Sequence, residues 1–191
     1  MDLEPKKFWN FIFEMGQLRN VRHEGWRLAG VEHPDMVAAH SLRAAQIGYV
    51  LACLEGYPDP NEICAVCVFH DMEESRTGDT HRVASRYVTA NKPQAAAEQV
   101  EPLGEIGRRI YGLWETMDRK DTPAGIIAKD ADYLEMAVMA KEYLERGHAS
   151  VRDWLNNIAK ALKTESAKRL MAELEETDSY EWWDGLKKLP R

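Results

Sequence analysis

The chain has 191 residues, 45% of them apolar and 30% charged, a globular balance well clear of the disorder regime and the right length for one domain. Its 25 Lys and Arg against 32 Asp and Glu leave a net charge of −7, which argues against a nonspecific grip on duplex nucleic acid or anionic lipid. No apolar run approaches the roughly twenty residues a membrane span needs, and the start (Met1, Asp2, Glu4, Lys6, Lys7) lacks a basic-then-apolar leader pattern. The expectation is a cytoplasmic chain.

Phe8, Phe11, Ile12, Met15 and Leu18 follow the i, i+3, i+4, i+7 spacing of an amphipathic helix. A loop rich in Gly, Arg and His occupies residues 20–33. Pro34 is expected to open a second helix with Val37, Ala44, Ile47, Leu51 and Leu54 on one face, stopping near residues 56–60. Asn61 serves as the N-cap of a third, which runs through the apolar stretch 63–69. Gly78 breaks the pattern, and residues 81–90 have no clear period. Residues 92–117 divide into two helices at Pro102 and Gly104, and Thr122–Pro123 opens a long helix reaching about residue 146. Two or three short charged helices fill 150–188, with Trp154, Trp182 and Trp183 as packing anchors. No segment alternates as a strand, so the class is all-α, an irregular multi-helix bundle.

Several polar residues fall where that pattern expects core. His40 lies three residues after Val37 and four before Ala44, on the apolar stripe. His70 shares a face with Ile63, Val66 and Cys67; Asp71 follows it, and Glu74 sits one turn beyond. Buried imidazoles and carboxylates cost several kcal/mol unless paired or metal-bound. A third acid lies in the apolar helix after Pro123, where Asp130 and Asp132 are both candidates and spacing does not choose. Two histidines with aspartates on neighbouring helices suit a hard-to-borderline divalent cation.

The order His … His-Asp … Asp on successive helices resembles the HD-domain metal-dependent phosphohydrolases, and most closely their 5′-deoxynucleotidase-like branch. That branch reads Arg-x-Gly-Trp, then a His-Ser fourteen residues after the Trp, then His-Asp-x-x-Glu-x-x-x-Gly-Asp, then Lys-x-x-Asp. Here stand Gly25-Trp26, His40-Ser41 at that spacing, His70-Asp71-Met72-Glu73-Glu74-Ser75-Arg76-Thr77-Gly78-Asp79, and Lys129-Asp130-Ala131-Asp132. The likeness covers about residues 18–145. Three positions depart from it. His23 stands where the arginine is expected, with Arg22 displaced by one; Ala39 replaces the usual acid before the first histidine; Asp35 replaces a common Glu.

The resemblance implies one HD-type domain over residues 1–191, with a core of about 18–146 and peripheral C-terminal helices over 147–191. It implies one divalent cation (Mn, Co, Mg or Zn) held by His40, His70, Asp71 and Asp132, and hydrolysis of (deoxy)nucleoside 5′-monophosphates. Asp71 and Glu74 are then catalytic, Glu74 as the proton handler. Arg22 or His23 would face the phosphate, and Trp26 and Asp79 the sugar. A homodimer is also implied, with Tyr180, Trp182 and Trp183 as candidate contacts. Other readings are a different HD phosphohydrolase (cyclic nucleotide, dNTP or non-nucleotide phosphoester) and a non-catalytic nucleotide- or metal-binding helical module. Cys64 and Cys67 fall on an apolar helix and read as small hydrophobes, not zinc ligands. His33, His81 and His148 have no spacing that suggests a second metal.

Overall fold

A computed structural model describes residues 3–186. The α-helices among these are α1 (Pro5–Met15), a single-turn α2 (Gly25–Leu28), α3 (Val37–Leu54), α4 (Pro60–Phe69), a single-turn α5 (Glu74–Thr77), α6 (Lys92–Val100), α7 (Glu105–Arg119), α8 (Pro123–Glu145), α9 (Arg152–Ala161) and α10 (Glu165–Glu176). Short 3-10 turns join several of them, and the sole β pairing among the described residues is the isolated bridge of Arg22 with Met36.

α3, α4 and α8 form the centre, each touching the other two, with α7 against α4 and α8 and with α9 and α10 laid on α8. Ala44, Leu51, Ile63, Val66, Ala128, Ala131 and Leu134 fill the space between the central three. Val151, Leu155, Ile158, Ala167 and Met171 of the C-terminal segment belong to the same buried cluster. A second cluster joins Phe11 and Met72 to Ala96, Val100, Ile110 and Trp114. Gly48 sets how closely α3 and α4 approach: a Cβ there would stand 3.0 Å from Cys67 Sγ and 3.3 Å from Ile63 Cγ2. That close approach brings His40 of α3 beside His70 at the end of α4. α3 is long and apolar enough to cross a membrane by length and composition alone, yet it carries buried His40 and packs on two helices of the core.

Local chemistry moves several expected boundaries. The second long helix starts at Val37 rather than Pro34, because residues 35–37 pair with 21–23: His23 N–H donates to Asp35 O at 2.9 Å and Val37 N–H to Val21 O at 2.9 Å. Asp59, not Asn61, caps α4, its carboxylate accepting the Asn61 N–H at 3.0 Å with Pro60 in the first turn. Thr122 caps α8 as expected, and Pro102 and Gly104 do divide α6 from α7. In α1 and the turn after it Phe11 and Leu18 are buried, but Phe8 and Ile12 are exposed. Trp154 packs against Trp26 with ring centres 5.5 Å apart. Trp182 and Trp183 are exposed, with their ring centres stacked 6.3 Å apart, and belong to neither buried cluster, so they do not serve as the buried packing anchors expected. The expected helical region runs on to Lys188, which lies outside the described residues.

Candidate metal centre

α3, α8 and the turn after α4 deliver four side chains to one point. His40 Nε2 stands 3.0 Å from Asp132 Oδ1 and 3.7 Å from Asp71 Oδ2; His70 Nε2 stands 2.9 Å from Asp71 Oδ2 and 3.6 Å from Asp132 Oδ1. The two Nε2 atoms are 3.2 Å apart. His40, His70 and Asp132 are buried and Asp71 is half-buried.

The far side of each ring fixes its tautomer. His40 Nδ1 bonds a carboxylate oxygen of Glu135, and His70 Nδ1 bonds Cys67 O at 2.7 Å. Both partners are acceptors, so both Nδ1 atoms keep their hydrogens and both Nε2 atoms turn inward. Two imidazole nitrogens each bonded to one zinc-like ion at about 2.0–2.1 Å lie about 2.9–3.4 Å apart, which brackets the distance found here. The donor set and its spacing therefore fit a divalent cation, and His40, His70 and Asp132 form a group able to hold one.

Without a cation, protons do its electrostatic work. Burial disfavours a charged His40, yet Asp132 and Glu135 outweigh it and push its pKa up to about 10. Burial likewise works against His70, and Asp71 and Asp132 carry it well above its usual value. In return, burial would raise Asp71 and Asp132, but His70 holds Asp71 well below the usual carboxylate range, and Lys129 with the two histidines does the same for Asp132. Lys129 Nζ lies 2.5 Å from Asp132 Oδ2.

Glu74 is buried beside this group. Lys92 Nζ, from the first turn of α6, is 2.9 Å from its Oε1 and 2.8 Å from Glu73 Oε1, while Glu74 Oε2 has no hydrogen-bond partner. Burial, then the charge of Asp71, pushes the Glu74 carboxyl up to about 8 against the pull of Lys92. The turn that carries Asp71 and Glu74 is fastened from two sides. Trp114 Nε1 donates to Glu73 at 2.9 Å, and Gln99 Nε2 donates to Met72 O at 3.0 Å and to Ser75 Oγ at 2.7 Å. Gly78, at φ +70°, then turns the chain toward Asp79.

The remaining expected residues separate. Asp132 joins the cluster, whereas Asp130, two residues away on another face, accepts from Lys163 N, Thr164 N and Thr164 Oγ and ties α8 to the start of α10. His23 faces the centre: its ring lies 4.5 Å from that of His40, and its Nδ1 has no partner. Burial and the neighbouring His40 charge hold its imidazole below its usual pKa. Arg22 is exposed, as alternation along an extended bridge requires when the next residue points inward. Trp26 is 1% exposed, packed on Tyr143 and Trp154, and seats the loop behind His23. Asp79 is half-buried and accepts Glu24 N–H at 2.7 Å, which anchors that same loop. His33 is exposed, His81 caps a turn through Ala84 N, and His148 lies on Tyr143; none belongs to the group at the centre. Cys67 is buried, with its thiol pushed up to about 12 by burial, and behaves as a small hydrophobe.

Sequence reasoning missed Glu73, Lys92 and Glu135. Glu135 had a signal, a second acid one turn past Asp132 on an apolar helix. Lys92 also had one, since a lysine in the first turn of a helix opposes the helix dipole and suggests a partner elsewhere.

Residues 15–175 match the family described as HD domain. The 5′-deoxynucleotidase HDDC2 of Dictyostelium discoideum is 29% identical over 151 residues, 74% of this chain and 80% of that protein. A structural-genomics crystal structure is 30% identical, with a TM-score of 0.74 over 93% of this chain and 99% of its own. A Magnetospirillum magnetotacticum protein described as a predicted metal-dependent phosphohydrolase shares the fold at 19% identity, TM-score 0.67, over 90% of each chain.

Proposed function

This chain belongs to the HD-domain family, and from that membership we propose that it is a metal-dependent phosphomonoesterase acting on (deoxy)nucleoside 5′-monophosphates. The observation that carries the reading is the convergence of two imidazole Nε2 atoms with one oxygen each of Asp71 and Asp132, each oxygen within 3.7 Å of both nitrogens, with the unpartnered oxygen of buried Glu74 alongside. His40, His70, Asp71 and Asp132 would hold one divalent ion. Such an ion supplies Lewis-acid polarisation of a phosphoryl group and brings the pKa of water toward neutrality.

The chain's own groups supply the rest. Glu74 Oε2 takes the proton of the attacking water; its carboxyl, raised to about 8 by burial and the charge of Asp71, would be brought down by a bound cation to where the ionised base is present near neutral pH. Lys92 keeps the other oxygen occupied, so the free one is the one presented. His23, neutral and with an open Nδ1, offers one hydrogen-bond donor to a phosphate oxygen in place of an arginine fork. The burial of His40, His70 and Asp132 restricts water and strengthens each of these interactions.

The deciding experiment is phosphate release from a panel of deoxy- and ribonucleoside 5′-monophosphates. Metal-stripped protein would be supplied in turn with Mn²⁺, Co²⁺, Mg²⁺ or Zn²⁺, with Asp71→Ala as control. Metal-dependent release lost in the variant supports the reading. Silence across the panel with metal bound would turn it toward another phosphoester or a binding role. The homodimer belongs to the same proposal, and a monomer by light scattering at micromolar concentration would remove it.

A further inference from the structure

Behind His40 runs a line of alternating charge. Glu135, one turn past Asp132 on α8 and with no exposed surface, bonds His40 Nδ1 through Oε2. Its Oε1 accepts from Arg43 Nε at 3.0 Å and lies 2.9 Å from Nη2. Arg43 is itself one turn past His40 on α3, and its Nη1 donates to Glu142 Oε1 at 2.8 Å. Glu142, Arg43, Glu135 and His40 thus connect a half-buried carboxylate near the surface to the centre in three contacts.

Stability alone gives little reason for this arrangement. Exchanging a buried ion pair for well-packed apolar side chains is often neutral or stabilising, whereas a lone buried charge is costly. The arrangement makes sense through the atom it ends on. A carboxylate on the outer nitrogen of a metal histidine fixes the ring's orientation and tautomer and raises its basicity as a ligand. The second histidine lacks this device: His70 Nδ1 is held by the neutral Cys67 carbonyl. The two imidazoles are therefore unequal donors.

We infer that Glu135 is a positioning residue that aims His40 Nε2 at the metal centre, and that Arg43, braced by Glu142, holds Glu135 in place. The inference rests on the reading of His40 as a ligand. Its test is the Zn²⁺ dissociation constant of metal-stripped protein, measured by chelator competition alongside the thermal midpoint of the stripped form. Glu135→Gln should weaken binding by about ten- to a hundredfold. Arg43→Gln should weaken it by less, and Glu142→Gln least of the three. A folded Glu135→Gln protein that binds zinc as tightly as the unmodified chain would overturn the inference and leave the site reading intact. Failure of the unmodified chain to bind zinc would overturn both. Should Glu135→Gln not fold, imidazole nitrogen NMR of the unmodified zinc-loaded protein decides: a proton on His40 Nδ1 supports the inference, and a bare or metallated Nδ1 defeats it.

Discussion

Loading a cation into the stripped protein should expel protons, and the structure says how many. At pH 7 both inner nitrogens are protonated, His40 with a pKa of about 10 and His70 well above its usual value. A ligating imidazole must be neutral, so each gives up one proton, whereas Asp71 and Asp132 are already ionised and give none. The imidazoles alone therefore release about two protons per ion, which makes the binding constant rise about a hundredfold per pH unit, or about 2.7 kcal/mol. Glu74, at about 8, adds up to one more as the incoming positive charge lowers its pKa, and Glu74→Gln removes that share. Titration calorimetry with Mn²⁺ in buffers of different ionisation enthalpy reads the proton number directly. A release below one proton in the Glu74→Gln protein would show that the histidines are neutral in the stripped state. The account of carboxylates holding them charged would then be wrong.

Glu74→Gln should lower kcat by about 10²–10⁴ at saturating metal; equal turnover would end its role as base. The stripped protein should lose stability as pH rises, and chemical denaturation at a series of pH values tests the sign. His40 goes from a pKa of about 6.5 unfolded to about 10 folded, so its contribution is complete below 6.5 and fades as pH climbs through 10. Metal loading should flatten that loss, and a stripped protein whose stability holds steady from pH 7 to 10 would contradict it. Asp130→Ala orphans two backbone N–H groups where α10 begins and should cost about 2 kcal/mol of stability. Zinc affinity should stay unchanged, and a parallel loss of metal binding would mean that Asp130, not Asp132, serves the centre.

Much of this centre was legible along the chain because helices and metals both impose spacing. An imidazole on an apolar stripe at His40, the His70-Asp71 pair at the end of another stripe, and acids inside a third are anomalies that burial makes costly, so they announce themselves. The helix breaks at Gly78, Pro102 and Gly104 and the cap at Thr122 follow from local backbone chemistry, and they stand where expected. The exceptions have local causes too. Pro34 failed to open α3 because residues 35–37 found pairing partners in 21–23, a contact between segments more than ten residues apart.

What periodicity could not supply was the neighbour across each face. Asp130 and Asp132 are equally buried in the sequence pattern; only the packing of α3 and α4 on one side of α8 and of α10 on another makes one a ligand and the other a cap. Arg22 and His23 were interchangeable as phosphate contacts until the bridge to Met36 turned one outward and the other toward His40. Lys92 and Arg43 lie far along the chain from Glu74 and Glu135, and an ion pair leaves no periodic mark on either partner. The sequence by itself determined which residues had to be buried polar groups in need of partners. The tertiary structure alone decided the pairings, because hydrogen bonds and ion pairs depend on distances of about 3 Å that arise only when separate helices pack.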